Sequence, residues 1–357
     1  MKKMLIALLI VLALLILVVG GYVAYLFIDY HRIPDKQELM ASVGGSAALS
    51  AGEELRIISW NLGFGAYSAD FTFFMDGGSE SRAFSKEACE ANINGAIDWL
   101  KGQDADLMLL QVVDTDATRS HHIDQKKMIE AAFPQYSTSF AQNYDSSYLF
   151  YPVTKPIGVS RGGILTLSKT QIGDSLRRSL PVEGGINKFF DLDRCYSIHS
   201  IPVDDGRLLR LYNLHLSAYS SDGSIATEQL AMMVEDMVAD YAAGNYVIAG
   251  GDFNKDLWGD SSAYSGVPAV NASWCKPFPT ELLPEGFTLV NTLYPENVVL
   301  SSRNTDIPYT RGASVEATLD GFIVSDNVQV KSCAIIDTAY QNTDHNPVDM
   351  RFVLGEE

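Results

Sequence analysis

The stretch YVIAGGDFN, residues 246–254, joins an apolar run to a turn that ends in two side chains able to do chemistry. Tyr246–Ala249 reads as a short buried strand. Gly250 and Gly251 free the backbone to turn, and Asp252 and Asn254 then stand at the strand tip. Just upstream, Leu230, Met233, Val234, Met237, Val238 and Tyr241 recur at helical spacing, and Gly244 and Asn245 end that helix.

The same arrangement recurs along the chain, without an internal repeat. Leu55–Trp60 (LRIISW) is an apolar run that ends in Asn61. Cys89, Ile93, Ile97 and Leu100 keep helical spacing and lead into a strand over Asp106–Gln111. Leu208–Leu216 carries His215, Leu319–Val324 carries Asp320, and Asp344 and His345 precede Val348–Val353. Strands and helices mix irregularly, which predicts an α/β sandwich rather than a strict βα barrel. The polar strand-end residues are expected to share one rim, where active sites are usually built.

Composition narrows the function. The 357 residues include 26 Lys and Arg against 44 Asp and Glu, a net charge of −18. Hydrophobic residues make up 47%, enough for a large core and too many for a disordered chain. The charge argues against a dedicated nucleic-acid-binding module, which is normally basic, but is compatible with a metal-dependent enzyme acting on phosphates. Cys89, Cys195, Cys275 and Cys333 form no C-x-x-C pair, so a zinc cluster is not expected. Buried free thiols are expected ahead of two disulfides.

The chain begins with a short flank, residues 1–3, that carries Lys2 and Lys3. Residues 4–28 are apolar and uncharged. As a helix they span roughly 38 Å, enough to cross a bilayer with some tilt. Tyr22, Tyr25, Asp29, Tyr30, His31 and Arg32 stand where a small-residue cleavage site would be needed, which predicts an uncleaved signal anchor. The basic N-terminal flank predicts a single-pass membrane protein with its C-terminal domain outside the cytoplasm. Residues 29–54, with ASVGGSAALSAG, predict a flexible linker, and residues 55–357 the domain. No aromatic hairpin for bilayer insertion is evident in the sequence.

The strand-tip inventory holds carboxamides, carboxylates and two histidines, without a nucleophile elbow or a basic cluster. It fits water attack on a phosphate ester. A divalent cation on hard oxygen ligands neutralises phosphate charge. A histidine paired with a carboxylate accepts a proton from water near neutral pH. Carboxamides and a second histidine can hold phosphate oxygens in the transition state.

In order, WN (60–61), QVVD (111–114), NLHL (213–216), GGDFN (250–254), LDGF (319–322) and TDHNP (343–347) resemble the motifs of the endonuclease/exonuclease/phosphatase superfamily. The resemblance runs from about Leu55 to Leu354. It implies a four-layer α/β sandwich, two β-sheets flanked by helices, here preceded by a single transmembrane helix. It also implies a nuclease, phosphatase or phosphodiesterase that uses Mg2+ or Mn2+. By the same resemblance His345 is the general base and Asp320 its orienting carboxylate. Asp252 and Asn254 align the water and the phosphate, His215 contacts the phosphate or assists the leaving group, and Asn61 and Asp344 lie at the metal. Arg119, Tyr144 and Lys255 are candidates for substrate binding.

One position departs from the family pattern. The second motif normally reads Q-E-V-D, and its glutamate is the main metal ligand; Val112 stands there instead. Valine cannot coordinate a hard cation. In an extended segment Asp114 would face the same way, about 7 Å further along, and could substitute in part through water. The expected function is a phosphoesterase acting on a nucleic acid, a lipid headgroup or a sugar phosphate. The alternative is a catalytically weakened or inactive membrane-tethered module that binds a phosphorylated ligand or a protein partner.

Overall fold

The structure is a computed structural model that describes residues 1–185, 187–189, 193–218, 224–267 and 276–355. Helix α1 (Lys2–Asp29) comes first, followed by β1 (Gln37–Leu39) and β2 (Glu54–Asn61). Next come α2 (Lys86–Lys101), β3 (Leu107–Ala117), α3 (Gln125–Ala132), β4 (Ser137–Asp145) and β5 (Ser160–Ser168). The middle of the chain forms β6 (Ser175–Ser179), β7 (Cys195–Pro202), β8 (Leu208–His215), α4 (Ser224–Ala242) and β9 (Tyr246–Asp252). The last part holds β10 (Phe287–Leu289), β11 (Ser302–Arg303), β12 (Glu316–Ala317), β13 (Asp320–Ser325), β14 (Val328–Ile335) and β15 (Val348–Leu354).

Two mixed sheets result, in the orders β14-β15-β2-β3-β5-β4 and β1-β6-β7-β8-β9-β13-β10. Each has one parallel pair, β2 with β3 and β8 with β9. Ile57, Leu107 and Leu109 face Leu211, Ile248 and Phe322 across the space between the sheets. The alternate residues Ile58, Trp60 and Met108 pack beneath Ile93 and Ile97 of α2. Tyr212, Leu214 and Val247 pack beneath Leu230 and Met233 of α4. These strands are buried on both faces, so they read as unbroken apolar runs. The layers run helix, sheet, sheet, helix, the four-layer sandwich expected.

The register then builds the rim. Asn61 lies opposite Gln111, His215 opposite Asp252, and Asp252 opposite Asp320. Gln111 Nε2 donates to Asn213 Oδ1 at 2.9 Å, and Asn213 Nδ2 donates to Leu165 O at 3.2 Å. This fully buried carboxamide pair ties the two sheets together behind the rim. A buried polar pair is stable only in the geometry that satisfies it, so it fixes how the sheets sit against each other.

Residues 29–54, expected to be a flexible linker, are instead fastened to the domain. β1 pairs with β6. Arg32 donates to Leu180 O and the Ile33 amide to Asp193 Oδ1, both at 2.8 Å. Leu49 is buried in the core between the sheets. The small residues that suggested freedom serve close approach: a Cβ on Gly45 would lie 2.2 Å from Lys169 O. Cys89, Cys195 and Cys333 are buried free thiols, and Cys275 lies outside the described residues.

One buried group makes stability depend on pH. His199 Nδ1 meets Ser175 Oγ and its Nε2 meets Ser197 Oγ, both at 2.9 Å. Burial, with Arg210 adding to it, pushes this imidazole down to about 3. The unfolded chain takes up a proton below about pH 6.5 that the folded state refuses, so stability falls as pH drops below that point. The contribution reaches about 3 kcal/mol near pH 4. Urea melts at pH 7 and pH 4.5 are expected to show the midpoint falling, and His199→Gln to reduce the fall. An unchanged fall in that variant would contradict the assignment.

Candidate active site

A cavity of about 670 Å³ opens where β2, β8 and β9 end, beside the middle of β3 at Val112. Asn61, His215, Asp252, Asn254, Asp344 and His345 all line it. The GGDFN segment earns its composition here. Gly251 has φ +149°, and a Cβ on it would lie 2.0 Å from Leu214 O. Only glycine lets β9 stay paired with β8 up to Asp252. Asn254 follows in the left-handed region at φ +48°, with its amide donating to Asp252 Oδ1 at 2.9 Å. Asparagine tolerates that conformation, and the turn aims both side chains inward.

His345 is held from behind by Asp320. Its Nδ1 lies 2.7 Å from Asp320 Oδ2, which also accepts from Ser301 Oγ at 2.8 Å. That leaves Nε2 facing the cavity, 3.3 Å from Ser302 Oγ and 3.8 Å from Asp252 Oδ2. Asp252 Oδ2 accepts from Asn61 Nδ2 at 3.0 Å and lies 3.5 Å from His215 Nε2. Two histidines and a carboxamide therefore converge on one carboxylate oxygen.

Carboxylates and burial set the electrostatics around His345. Burial pushes the His345 imidazole down, but Asp320, then Asp344 and Asp252, outweigh it and hold it at about 10. Burial and the neighbouring Asp320 raise the Asp252 carboxyl to about 7. Burial also raises the Asp344 carboxyl. His215 is pushed well below its usual range by burial, then by Arg194, His345 and Arg119, so it stands neutral and acts as a hydrogen-bonding group.

The donors fit a hard divalent cation. Asp344 and Asn61 line the cavity, and Asn61 Oδ1 accepts from the Gly63 amide at 3.0 Å with a lone pair to spare. Asp320 Oδ1 is buried with no hydrogen-bond partner among the described residues. Ligand atoms of Asp252, Asp320 and His345 lie within 4.8 Å of one another. Carboxylates crowded away from water favour a bound cation.

Val112 also lines the cavity, beside the apolar cluster of Phe64, Phe71 and Leu149. Its φ is +55°, and the pairing of β3 with β5 slips between Leu110 and Val113. A β-branched residue in the left-handed region is strained by about 1–3 kcal/mol. This bulge also breaks the two-residue alternation on which the expectation for Asp114 depended. Asp114 is fully buried, its side chain accepts from Arg119 Nε at 3.1 Å and from Nη2 at 2.8 Å, and it is not among the residues lining the cavity. Its geometry is that of a partner for Arg119 rather than of a substitute for the missing glutamate.

Arg119 and Tyr144 both line the cavity, with the guanidinium 5.2 Å from the Tyr144 ring and 4.3 Å from the Phe64 ring. Lys255 is buried and is not among the lining residues. Ser302, Arg303 and Arg194 line the cavity without having been singled out in the sequence. Arg303 donates to Ser68 O at 2.8 Å and Phe71 O at 3.2 Å, tying down the loop that carries the aromatic wall. β11, which holds Ser302 and Arg303, is two residues long and has no periodicity to read.

Comparisons with known proteins bear on the family and the fold. The model of the Endonuclease/Exonuclease/phosphatase family matches residues 58–307. No curated protein sequence matches the chain. Among solved structures, an endonuclease/exonuclease/phosphatase from Beutenbergia cavernae aligns with a TM-score of 0.57 at 16% identity, covering 85% of this chain and 72% of that one. ANGEL2, a 2',3'-cyclic phosphatase in complex with adenosine-2',3'-vanadate, gives 0.56 at 14%, covering 89% and 99%. D. rerio TDP2 complexed with a single-strand DNA product gives 0.53 at 16%, covering 84% and 99%. At such identities the likeness is one of fold.

Proposed function

The chain belongs to the Endonuclease/Exonuclease/phosphatase family, whose members hydrolyse phosphate esters, and from that premise we propose a metal-dependent phosphoesterase that uses water activated at His345. The observation that carries the reading is the Asp320–His345 pair at 2.7 Å, with Nε2 turned to the cavity. With Asp344 and Asp252 offset by a cation, the imidazole would release the proton that those carboxylates help to hold on it; His345 Nε2 then takes the proton from the attacking water, and Asp320 stabilises the imidazolium that forms. Asp252 and Asn254 align the water and the phosphoryl group. Neutral His215 hydrogen-bonds a phosphoryl oxygen or the leaving group. Arg119, steadied by Asp114 and stacked near Tyr144, meets the phosphate from the far side.

Asp344 and Asn61 would hold the Mg2+ or Mn2+, which supplies charge neutralisation for the phosphate. α1 is long and apolar enough to cross a membrane, and its apolar stretch is unburied. Both features support a single-pass anchor, with the domain outside the cytoplasm by the basic N-terminal flank. A second reading, a module that binds a phosphorylated ligand without turning it over, is favoured by Val112 alone.

Full-length protein stripped with EDTA and assayed on bis(p-nitrophenyl) phosphate separates the two. Hydrolysis should be absent after stripping and return with Mg2+ or Mn2+. Asp320→Asn should lower the restored rate by about 100-fold, because it removes the acceptor that orients and charges the base. Phosphate binding without turnover, indifferent to the cation, would favour the second reading.

A further inference from the structure

This inference rests on the phosphoesterase and anchor readings above and adds the substrate class. The C-terminal end of α1 touches the domain, with Tyr22 and Leu26 half-buried and Tyr30, just past the helix, half-buried after them. Tyr22 Oη donates to Tyr148 O at 3.0 Å and accepts from the Phe150 amide at 3.2 Å. Tyr25 Oη accepts from the Tyr148 amide at 3.0 Å. The Tyr22 and Phe150 rings meet edge to face at 5.1 Å.

Upstream of this contact, Met4–Gly21 is exposed along its whole length. That is about 27 Å of helix, close to the roughly 30 Å thickness of a hydrocarbon core. Tyr22 and Tyr25 then fall at the membrane–water interface, where tyrosine rings settle. The loop bonded to them lies at the same depth. It exposes Tyr148, Phe150, Tyr151 and Val153 by 40% to 67%. A cluster of large apolar side chains left open to water marks an interaction surface.

The same loop walls the active site. Leu149 and Tyr151 line the cavity with Phe74 and Met75, and the Tyr151 and Phe74 rings lie 5.6 Å apart. One apolar surface therefore runs from the interfacial end of α1 to the cavity that holds His345, Asp252 and Asn61. The fastening of residues 29–54 keeps the domain from swinging away from it.

We propose that the substrate is a phosphodiester lipid of the bilayer that holds α1, with its phosphate at the strand tips and its apolar part along Leu149, Tyr151, Phe74 and Met75. Water oxygen bonds to phosphorus and one ester P–O bond breaks. The water proton passes to His345 Nε2, and the departing alkoxide recovers a proton from water. A phosphomonoester and an alcohol result.

The test uses the full chain in vesicles of phosphatidylethanolamine and phosphatidylglycerol with Mg2+ or Mn2+, run in parallel with water-soluble bis(p-nitrophenyl) phosphate. Wild type should hydrolyse both. The double variant Phe150→Ser, Val153→Ser should lose about tenfold on vesicle lipid, the scale set by withdrawing two apolar side chains from a bilayer, and keep its rate on the soluble diester. Hydrolysis of the soluble diester with vesicle lipid untouched would overturn the lipid assignment and leave the phosphoesterase reading standing. Equal losses on both substrates in the variant would overturn the membrane-facing role of the loop. No hydrolysis of either substrate would overturn both readings.

Discussion

Replacing His345 with alanine is expected to lower hydrolysis of bis(p-nitrophenyl) phosphate by about 10³–10⁴-fold, with KM nearly unchanged. The base acts on a proton that moves only in the transition state, so its loss should appear in kcat rather than in binding. The imidazole also separates Asp320 from Asp252, and without it Asp320 loses the partner at 2.7 Å. A buried carboxylate left unpaired costs about 1–3 kcal/mol, so the variant should also melt earlier. His345→Gln keeps a polar group in the same space and should recover stability but not rate. A loss below about tenfold in both variants would assign the base elsewhere.

Val112→Glu is expected to act in the opposite direction. Divalent cation affinity should rise by at least about 10–100-fold, the range that outer-shell changes alone reach at metal sites. The position faces the cavity, so a carboxylate there joins the oxygens of Asp344 and Asn61. Glutamate is unbranched at Cβ, which eases the strain that valine carries at φ +55°. The new charge shares the cavity with Asp252 and Asp344 and depends on the cation to offset it. The variant should therefore melt earlier than wild type in EDTA and gain more in Mg2+, a ligand-dependent shift read without any assay of turnover. Equal melting shifts in the two proteins would show that Val112 does not stand at the cation site.

The fold was readable where strands are buried on both faces. β2, β3, β8, β9 and β13 show as apolar runs because the other sheet covers one side and a helix or loop the other, whereas β15 (VDMRFVL) alternates because its Asp349 and Arg351 side is open. β6 reads SLRRS and could not be found that way. Its Arg177 is fully buried because backbone carbonyls satisfy it, including Gln142 O at 2.8 Å. The packed segment 29–54 looked loose because small residues serve flexibility and close approach equally well. In the site, parallel register sets Asn61 beside Gln111 and His215 beside Asp252, antiparallel pairing adds Asp320, and the loops after β9 and before β15 bring in Asn254, Asp344 and His345. Asp114 was placed by alternation, which a bulge at Val112 cancels. Arg303 and the aromatic wall arise from contacts across more than 200 positions, such as Arg303 with Phe71, and no local pattern encodes them. The exposed loop at Phe150 gains its meaning only from the end of α1 docked against it.

The account's central claim is that these strand tips form one pocket that directs water onto phosphorus. Turnover in ¹⁸O-labelled water, with both products weighed by mass spectrometry, tests it most directly. The account predicts a single ¹⁸O in the phosphate-bearing product and none in the alcohol, dependent on Mg2+ or Mn2+ and lost in His345→Ala. Label in the alcohol, or labelled phosphate formed at the same rate without His345, would contradict it.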